Sequence, residues 1–183
     1  MRFRLIKKYP DNPLLEGNID IGLIEKMEMK VEVKRKKLRP DAKELKYAHK
    51  GDSGIDLYPV VFTTNDGFDH QNYKLKPGER VIGKTGWALE LPENYEFQVR
   101  PTSGNSIKTK LTVILGTVDD CYRGEIGVII ENSGDEIIHL MSGKKMAQMV
   151  LAFVPKAVFE DVDELSETDR GQDGFGSTGT IID

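Results

Sequence analysis

The chain has one cysteine, Cys121, among its 183 residues. An internal disulfide is thereby excluded, and a reducing compartment fits. With only three histidines beside it, Cys121 makes no case for a structural zinc site, which needs four ligands. Long apolar runs are also missing: no window approaches the roughly 20 residues that span a bilayer. The opening MRFRLIKKYPDNP carries basic residues but no apolar stretch of secretory length. A soluble, intracellular, cytoplasmic protein without a membrane partner is expected. An excess of positive charge is absent as well, since the net charge is −4 and the pI about 5.5. That argues against a surface built to grip nucleic acid, though not against a local basic pocket for a small polyphosphate.

What is present is one domain's worth of chain, with 38% hydrophobic residues to pack a single core. Glycine, proline and Asx punctuate short β-branched runs. Strands are expected near Glu28–Arg35, Gly54–Pro59, Arg80–Glu90, Tyr95–Arg100, Thr112–Leu115, Ile126–Asn132, Glu136–Leu140 and Met149–Val158. In the first of these, Met29, Val31 and Val33 alternate with charged residues, as in a half-buried strand. Many short strands without intervening helices predict an all-β jelly roll or barrel rather than a doubly wound fold. Pro40–Lys50 is a turn of helix or a loop. Lys144–Val150 has a helical composition but sits beside a β-branched stretch, and a strand is favoured. Phe62–Tyr73 is polar and turn-rich, and is expected as an exposed loop. The chain divides into an extension over residues 1–27, a β core over 28–168 and a glycine-rich tail over 169–183.

Four segments carry chemistry. In GTVDDCYRGEIGVII (Gly116–Ile130) a β run reaches Asp119 and Asp120, turns through Tyr122-Arg123-Gly124, and leaves as another β run. This predicts a hairpin with acids and an aromatic at its mouth, although Asp-Asp before a turn is also ordinary turn chemistry. In RGQDGFGSTGT (Arg170–Thr180) glycines alternate with hydroxyls, a pattern that presents backbone N–H groups to phosphate oxygens. There Arg170 adds a permanent planar cation, and Phe175 is a lone aromatic suited to stack on a base. By composition alone the same stretch is a flexible tail. RPTSGNSIKTK (Arg100–Lys110) is a Ser/Thr/Gly loop flanked by cations. In SGIDLYP (Ser53–Pro59), Asp56 stands alone in a strand-like run, either facing solvent or meeting a cation. Together these describe a site for a base, a sugar, several phosphates and a metal.

Five segments in this order, SGIDLYP, RPTSGNSIK, GTVDDCYRGEI, KKMAQMV and RGQDGFGSTG, resemble the five motifs of the trimeric dUTP diphosphatase (dUTPase) family. They span Ser53–Gly179, and an ordered set is a far stronger signal than any single motif. The resemblance implies an all-β homotrimer, with active sites at subunit junctions and a swapped carboxy-terminal arm. It implies hydrolysis of dUTP to dUMP and pyrophosphate, which limits uracil in DNA and supplies dUMP for dTMP synthesis. Asp119 matches the carboxylate that activates water for in-line attack on the α-phosphorus. Tyr122 matches the residue against the deoxyribose that excludes a 2′-hydroxyl. The backbone from about Val113 through Gly127, including Gly116, Thr117 and Val118, matches the uracil reader. Ser103 and Gly104 match the phosphate loop, and Gln148 a glutamine near the phosphates. Arg170, Phe175, Gly176, Ser177 and Thr178 match the arm, with the arginine and the hydroxyls on the γ-phosphate and Phe175 over the base. Mg2+ bridging the phosphates is implied, held by Asp56 through water.

Three departures accompany the match. Thr102 stands where the second motif usually has arginine; Arg100, two residues earlier on the same side of an extended strand, or Lys108, is the candidate replacement. Cys121 stands where aspartate is common. In the tail, Asp173 replaces a usual glycine. The extension over residues 1–27 has no counterpart in the minimal family core; packing on the trimer, contact with a protein partner and lineage-specific decoration are the alternatives for it. Two rival readings are a dCTP deaminase-like enzyme and a regulatory nucleotide-binding protein on the same fold. The first lacks a glutamate-bearing segment beside the base. The second is compatible with an active enzyme.

Overall fold

The computed structural model describes residues 30–172. Twelve strands and one short helix follow in order: β1 (Lys34–Lys37), β2 (Ile55–Leu57), β3 (Val61–Thr63), β4 (Asp69–His70), β5 (Asn72–Leu75), β6 (Arg80–Glu90), β7 (Tyr95–Pro101), α1 (Ser103–Lys108), β8 (Leu111–Ile114), β9 (Gly116–Val118), β10 (Glu125–Asn132), β11 (Ile138–Met141) and β12 (Ala147–Phe153). The expected all-β architecture is the one observed. One sheet runs β4-β3-β6-β10-β8, with β1 also paired to β6; a second runs β2-β12-β7-β9; β11 and β5 form a third pair. Every pairing is antiparallel.

Alternation builds the core. Along β10, Ile126, Val128, Ile130 and Asn132 are buried in period two, and Phe97, Val99, Ala147 and Met149 face them from the second sheet. The last position of the buried stripe is polar, and its carboxamide is fully used. Asn132 Nδ2 donates to the carbonyls of Leu75 (2.9 Å) and Glu136 (2.7 Å), and its Oδ1 accepts from the Gly134 N–H (2.9 Å). This side chain ties β10 to the end of β5 and to the turn that follows.

Long β6 changes character midway. Its pairing with β10 passes from Glu125↔Ala88 to Gly127↔Lys84, so Thr85, Gly86 and Trp87 stand opposite Ile126 alone. Gly86 has φ +81°, and a Cβ there would lie 2.6 Å from Ala42 Cβ, so glycine is required. The ladder groups freed by the bulge find other partners: the Thr85 hydroxyl donates to the Ile126 carbonyl (3.0 Å), and the Gly86 N–H donates to Glu125 Oε1 (2.8 Å).

Several expectations need correction. Phe62–Tyr73 is not a loop: it contains β3, β4 and the start of β5, and Phe62 is fully buried. The turn is made at Asn65-Asp66, closed by the Gly67 N–H on the Thr64 carbonyl, with Gly67 at φ +87° after it and the Thr64 N–H donating to the Phe68 carbonyl. Of the strand expected at Glu28–Arg35, Glu28 and Met29 lie outside the described residues, residues 30–33 carry no strand, and the first described strand is Lys34–Lys37. Val33 packs on the core edge, but the ladder with β6 begins at Lys34. Four consecutive cations on this strand blunt an exposed sheet edge. The last strand stops at Phe153, and residues 154–168 carry no strand, with Val158, Phe159 and Leu165 exposed. The extension over 1–27 and the tail residues Asp173, Phe175, Gly176, Ser177 and Thr178 lie outside the described residues. No helix among the described residues is long and apolar enough to cross a membrane.

Candidate active site

The chain changes sheet where the third motif begins. Through β8 it pairs with β10, Ile114 facing Ile129. After the exposed Leu115 it leaves that sheet, and β9 pairs with β7 as Gly116↔Val99, Thr117↔Gln98 and Val118↔Phe97. The segment Asp119–Gly124 then carries it back to β10. The expected hairpin is therefore a corner between two sheets, and its two arms β9 and β10 belong to different ladders. A corner of this kind leaves space between the arms, here a cleft of about 490 Å³. Gly116, Thr117, Val118, Tyr122 and Gly127 line it, as do Lys84 and Glu125.

The turn is fastened from several sides. The Asp119 carbonyl accepts the Tyr122 N–H (3.1 Å), and the Asp120 carboxylate accepts the Asn94 N–H (3.0 Å). Arg123 Nη1 donates to the carbonyls of Asp120 (2.6 Å) and Tyr122 (3.0 Å). The Tyr122 hydroxyl donates to the Glu125 carbonyl (3.1 Å). The Asp119 carboxylate follows the cleft-lining Val118 directly and is exposed, where a water molecule has access to it. Cys121, two residues on, is exposed as well.

A second group of motif residues forms a row across the other sheet. Gln148 of β12 stands opposite Asp56 of β2 on one side and Arg100 of β7 on the other, and directly opposed residues share a face. The Asp56 carboxylate, 14% exposed, lies 3.3 Å from Lys145 Nζ and accepts the Tyr58 hydroxyl at 3.3 Å. Burial, reinforced by that carboxylate, raises the Tyr58 phenol above its usual range. Gln148 Nε2 donates to the Pro101 carbonyl (3.2 Å). Arg100 donates to Gln98, and Gln98 to Glu96, so the three polar side chains of β7 run along one face.

Ser103 and Gly104 open α1 immediately after that strand, and both are exposed. Here a helix of six residues replaces the expected loop. It has no buried residue and is pinned by Asn105 Nδ2, which donates to the carbonyls of Lys145 (3.1 Å) and Met146 (3.4 Å). Thr102 is its N-cap position and makes no side-chain capping bond. Lys108 lies in its last turn, whereas Arg100 stands in the row with Gln148 and Asp56. Of these two cations, only Arg100 stands in register beside Gln148. Arg170 lies in the turn after residue 168 and is exposed.

One chain thus assembles two groups, the corner cleft and the Asp56–Gln148–Arg100 row, with Val99 and Arg100 on opposite faces of β7 between them. Sequence reasoning missed Lys84 and Glu125 in the cleft and Lys145 beside Asp56. The period-two pattern of β6 places Lys84 on the face of Ile82, which was the available signal. Glu125 lies in the third motif but gave no sign of its partners. Its carboxylate is held by Arg39, with Nε at 2.9 Å, and by the Gly86 N–H. Hydrogen bonding to Glu125 and then to Asp69 raises the Arg39 guanidinium above its usual value against a cost of burial. Among the described residues, no group of three or more His, Cys, Asp or Glu side chains could hold a metal ion by itself.

Comparison with known proteins agrees with these features. The family model described as dUTPase matches residues 42–179. The deoxyuridine 5′-triphosphate nucleotidohydrolase of Gloeothece citriformis is 46% identical over 140 residues, 75% of this chain and 90% of that one. That of Clostridium tetani is 44% identical over 149 residues, 80% and 96% of the two chains. Among solved structures, the dUTPase of Staphylococcus bacteriophage 80alpha with dUpNHpp superposes at a TM-score of 0.70, with 26% identity, covering 81% of this chain and 99% of that one. A variant dUTPase of the S. aureus phage phi11, in which the coordination of a structural Mg(II) ion is seen, shares the fold at a TM-score of 0.62 and 24% identity, covering 73% and 97%. With a sheet-switching corner that carries Asp119 and Tyr122, and a family match over three quarters of its length, the chain belongs to the dUTPase family.

Proposed function

We propose that the protein hydrolyses dUTP to dUMP and pyrophosphate, in sites that each combine the corner cleft of one chain with the Asp56–Gln148–Arg100 row of another in a homotrimer. The observation that carries this reading is the cleft itself. Its wall includes the chain at Gly116–Val118 and Gly127, whose backbone can meet the donor and acceptor edge of uracil, and the residue after Val118 is the exposed Asp119. A 2′-hydroxyl would meet the Tyr122 ring, which gives a preference for deoxyribose. Val99 and Arg100 point to opposite sides of one strand, so a second chain is the economical way to bring phosphate-binding groups to the cleft.

In this scheme Asp119 takes a proton from a water molecule whose oxygen bonds to the α-phosphorus. The bond to the bridging oxygen breaks in line, and its electron pair leaves with pyrophosphate. Ser103 polarises that oxygen, and Gly104 admits the chain of phosphates because no atom would crowd a Cβ there. Arg100 and Gln148 hold the phosphates from the strand side. Arg170 with Gly176, Ser177 and Thr178 meets the γ-phosphate, and Phe175 covers the base. Magnesium, when bound, neutralises phosphate charge and fixes the attack direction. Asp56 fits such an ion only through water, because it is a single carboxylate already shared with Lys145 and Tyr58, and Mg2+ readily keeps several waters. The work is positioning and electrostatics, with no covalent intermediate.

Glu125 bears on the deaminase alternative. It is a glutamate in the cleft, contrary to the expectation that none stands there, but its carboxylate is occupied by Arg39 and Gly86 rather than free to activate water. Pyrophosphate release with magnesium should therefore be strong for dUTP and weak for dCTP, dTTP and UTP. Asp119→Asn should bind dUTP yet turn over roughly 10²–10⁴-fold more slowly, the usual contribution of a general base. Near-normal turnover by that variant, or ammonia release from dCTP, would overturn the assignment.

A further inference from the structure

At the cleft's edge, with Lys84 and Glu125 in its lining, lies an ion-pair cluster that the reaction scheme does not use. Arg39, in the turn after β1, donates through Nε to Glu125 Oε1 (2.9 Å) and through Nη2 to Glu125 Oε2 (3.4 Å) and Asp69 Oδ2 (3.0 Å). Asp69 also accepts from Lys84 Nζ (3.3 Å) and from the Thr63 hydroxyl (2.5 Å). Five separate elements meet here: the β1–β2 connection, β3, β4, β6 and β10. The Arg39 and Glu125 side chains are 29% and 17% exposed. Partial burial makes such a pair stiffer and costlier to break than a surface pair.

Glu125 faces both ways. Its carboxylate fills the hole in the ladder left by the β6 bulge, by accepting the Gly86 N–H, and on the other side of Gly86 the carbonyl accepts the Leu38 N–H (2.8 Å). Its own carbonyl is the acceptor for the Tyr122 hydroxyl. The ring that meets the sugar is thus anchored to a backbone whose position is set, one residue's length away, by the guanidinium of Arg39. Alternative acceptors for Tyr122 exist in water if that backbone shifts, so the cluster decides where the ring rests rather than whether it is bonded.

We propose that Arg39 and Glu125 are positioning residues for sugar selection: their pair fixes the Glu125 backbone, and through it the Tyr122 ring, at the distance from the cleft floor that admits deoxyribose and rejects ribose. This rests on the reading of the cleft as the deoxyuridine site. Arg39 touches no substrate in that scheme. Its effect is on discrimination, because a ring free to move back makes room for one more oxygen.

The test compares kcat/KM for dUTP and UTP in the full-length protein. Arg39→Met keeps the stem and removes the fork, and Arg39→Lys keeps the charge. Glu125→Gln keeps an acceptor for Gly86 and loses the ionic pair, and it decides the matter should Arg39→Met fail to fold. Arg39→Met and Glu125→Gln should lower the dUTP/UTP ratio roughly tenfold, largely through faster UTP turnover, as expected when one steric contact is relaxed. Arg39→Lys should restore most of the ratio. A merely structural role would lower both substrates together and leave the ratio in place, which would overturn the proposal. Tyr122→Ala run in parallel separates the two levels. If it lowers the ratio while the Arg39 and Glu125 variants do not, positioning by the pair is wrong and the sugar site stands. If Tyr122→Ala leaves the ratio unchanged, the sugar site is misplaced and the proposal falls with it.

Discussion

Replacing Asn132 with alanine removes a carboxamide that is fully buried and makes three hydrogen bonds. The carbonyls of Leu75 and Glu136 lose their donor, and the Gly134 N–H loses its acceptor. At about 1 kcal/mol net for each bond the loss is about 3 kcal/mol. Two corrections act in opposite directions. Leu75 is completely buried and its carbonyl cannot be rehydrated, so that loss lies toward the full desolvation penalty. Glu136 and Gly134 stand nearer the surface, where water can take the place of the side chain. The expected destabilisation is about 2–4 kcal/mol, a large part of the stability of a domain. Trp87 is the only tryptophan and is 6% exposed, so its fluorescence reports urea unfolding without added probes. Wild type and variant should be compared over several protein concentrations, since association adds to apparent stability. Asn132→Asp supplies a second signature: the new carboxylate would face two carbonyls, raising its folded pKa above the unfolded value near 3.9. Its stability should then match wild type best below that value and fall as pH rises through it. A loss below about 1 kcal/mol for Asn132→Ala would refute the view that this side chain locks β5 to β10.

Gly54→Ala would put a Cβ 2.5 Å from Gln148 Oε1 and 3.2 Å from its Cβ. The flexible end can turn away, so unfolding should change by no more than about 1 kcal/mol, while KM for dUTP rises because Gln148 leaves its place between Asp56 and Arg100. Unchanged KM would remove Gln148 from the phosphate site. Tyr73→Phe removes the hydroxyl that Glu79 accepts at 2.5 Å. That bond holds the Glu79 carboxyl below its usual range and pushes the Tyr73 phenol up to about 12. The Glu79 contribution is present above the ordinary glutamate pKa and is lost as pH falls through the depressed value. The Tyr73 contribution is present below the ordinary phenol pKa and is lost as pH rises toward 12. The urea midpoints of wild type and Tyr73→Phe should therefore differ near neutrality and converge at low pH; a gap independent of pH would contradict it.

Contiguous features were the legible ones. Asp119, Tyr122 and the backbone around Gly116 stand within one stretch of sequence, and the structure places their side of the cleft together. Arg80–Glu90 was bounded correctly because β-branched runs and flanking turn residues agree there. The Ser103–Lys108 helix gave no periodic signal because it buries nothing; its own Asn105 side chain holds it to the carbonyls of Lys145 and Met146. Phe62 looked like a loop residue because its neighbours are polar, although Asn65-Asp66-Gly67 is the kind of run that closes a hairpin. The partners of Glu125 were out of reach altogether. Arg39 is 86 residues away from it, and the need for a carboxylate arises from a bulge in a third segment, which no local pattern encodes. The division of motif residues into two groups was equally invisible, since it depends on which sheet β9 joins.

β12 is the last strand among the described residues and lies in the interior of its sheet, between β2 and β7. Those two have no ladder between them, so neither can be completed until residues 147–153 have been synthesised. A nascent chain can close the β8–β10 pairing early, but Asp56 and Arg100 come to flank Gln148 only at the end of translation. Non-local closure of this kind is slow, and it leaves strand edges open in the meantime. A chain cut short before residue 147 would keep the residues of the corner and lose the strand that seats the phosphate row. Incomplete products are therefore expected to be unfinished as enzymes and prone to aggregate, rather than weakly active.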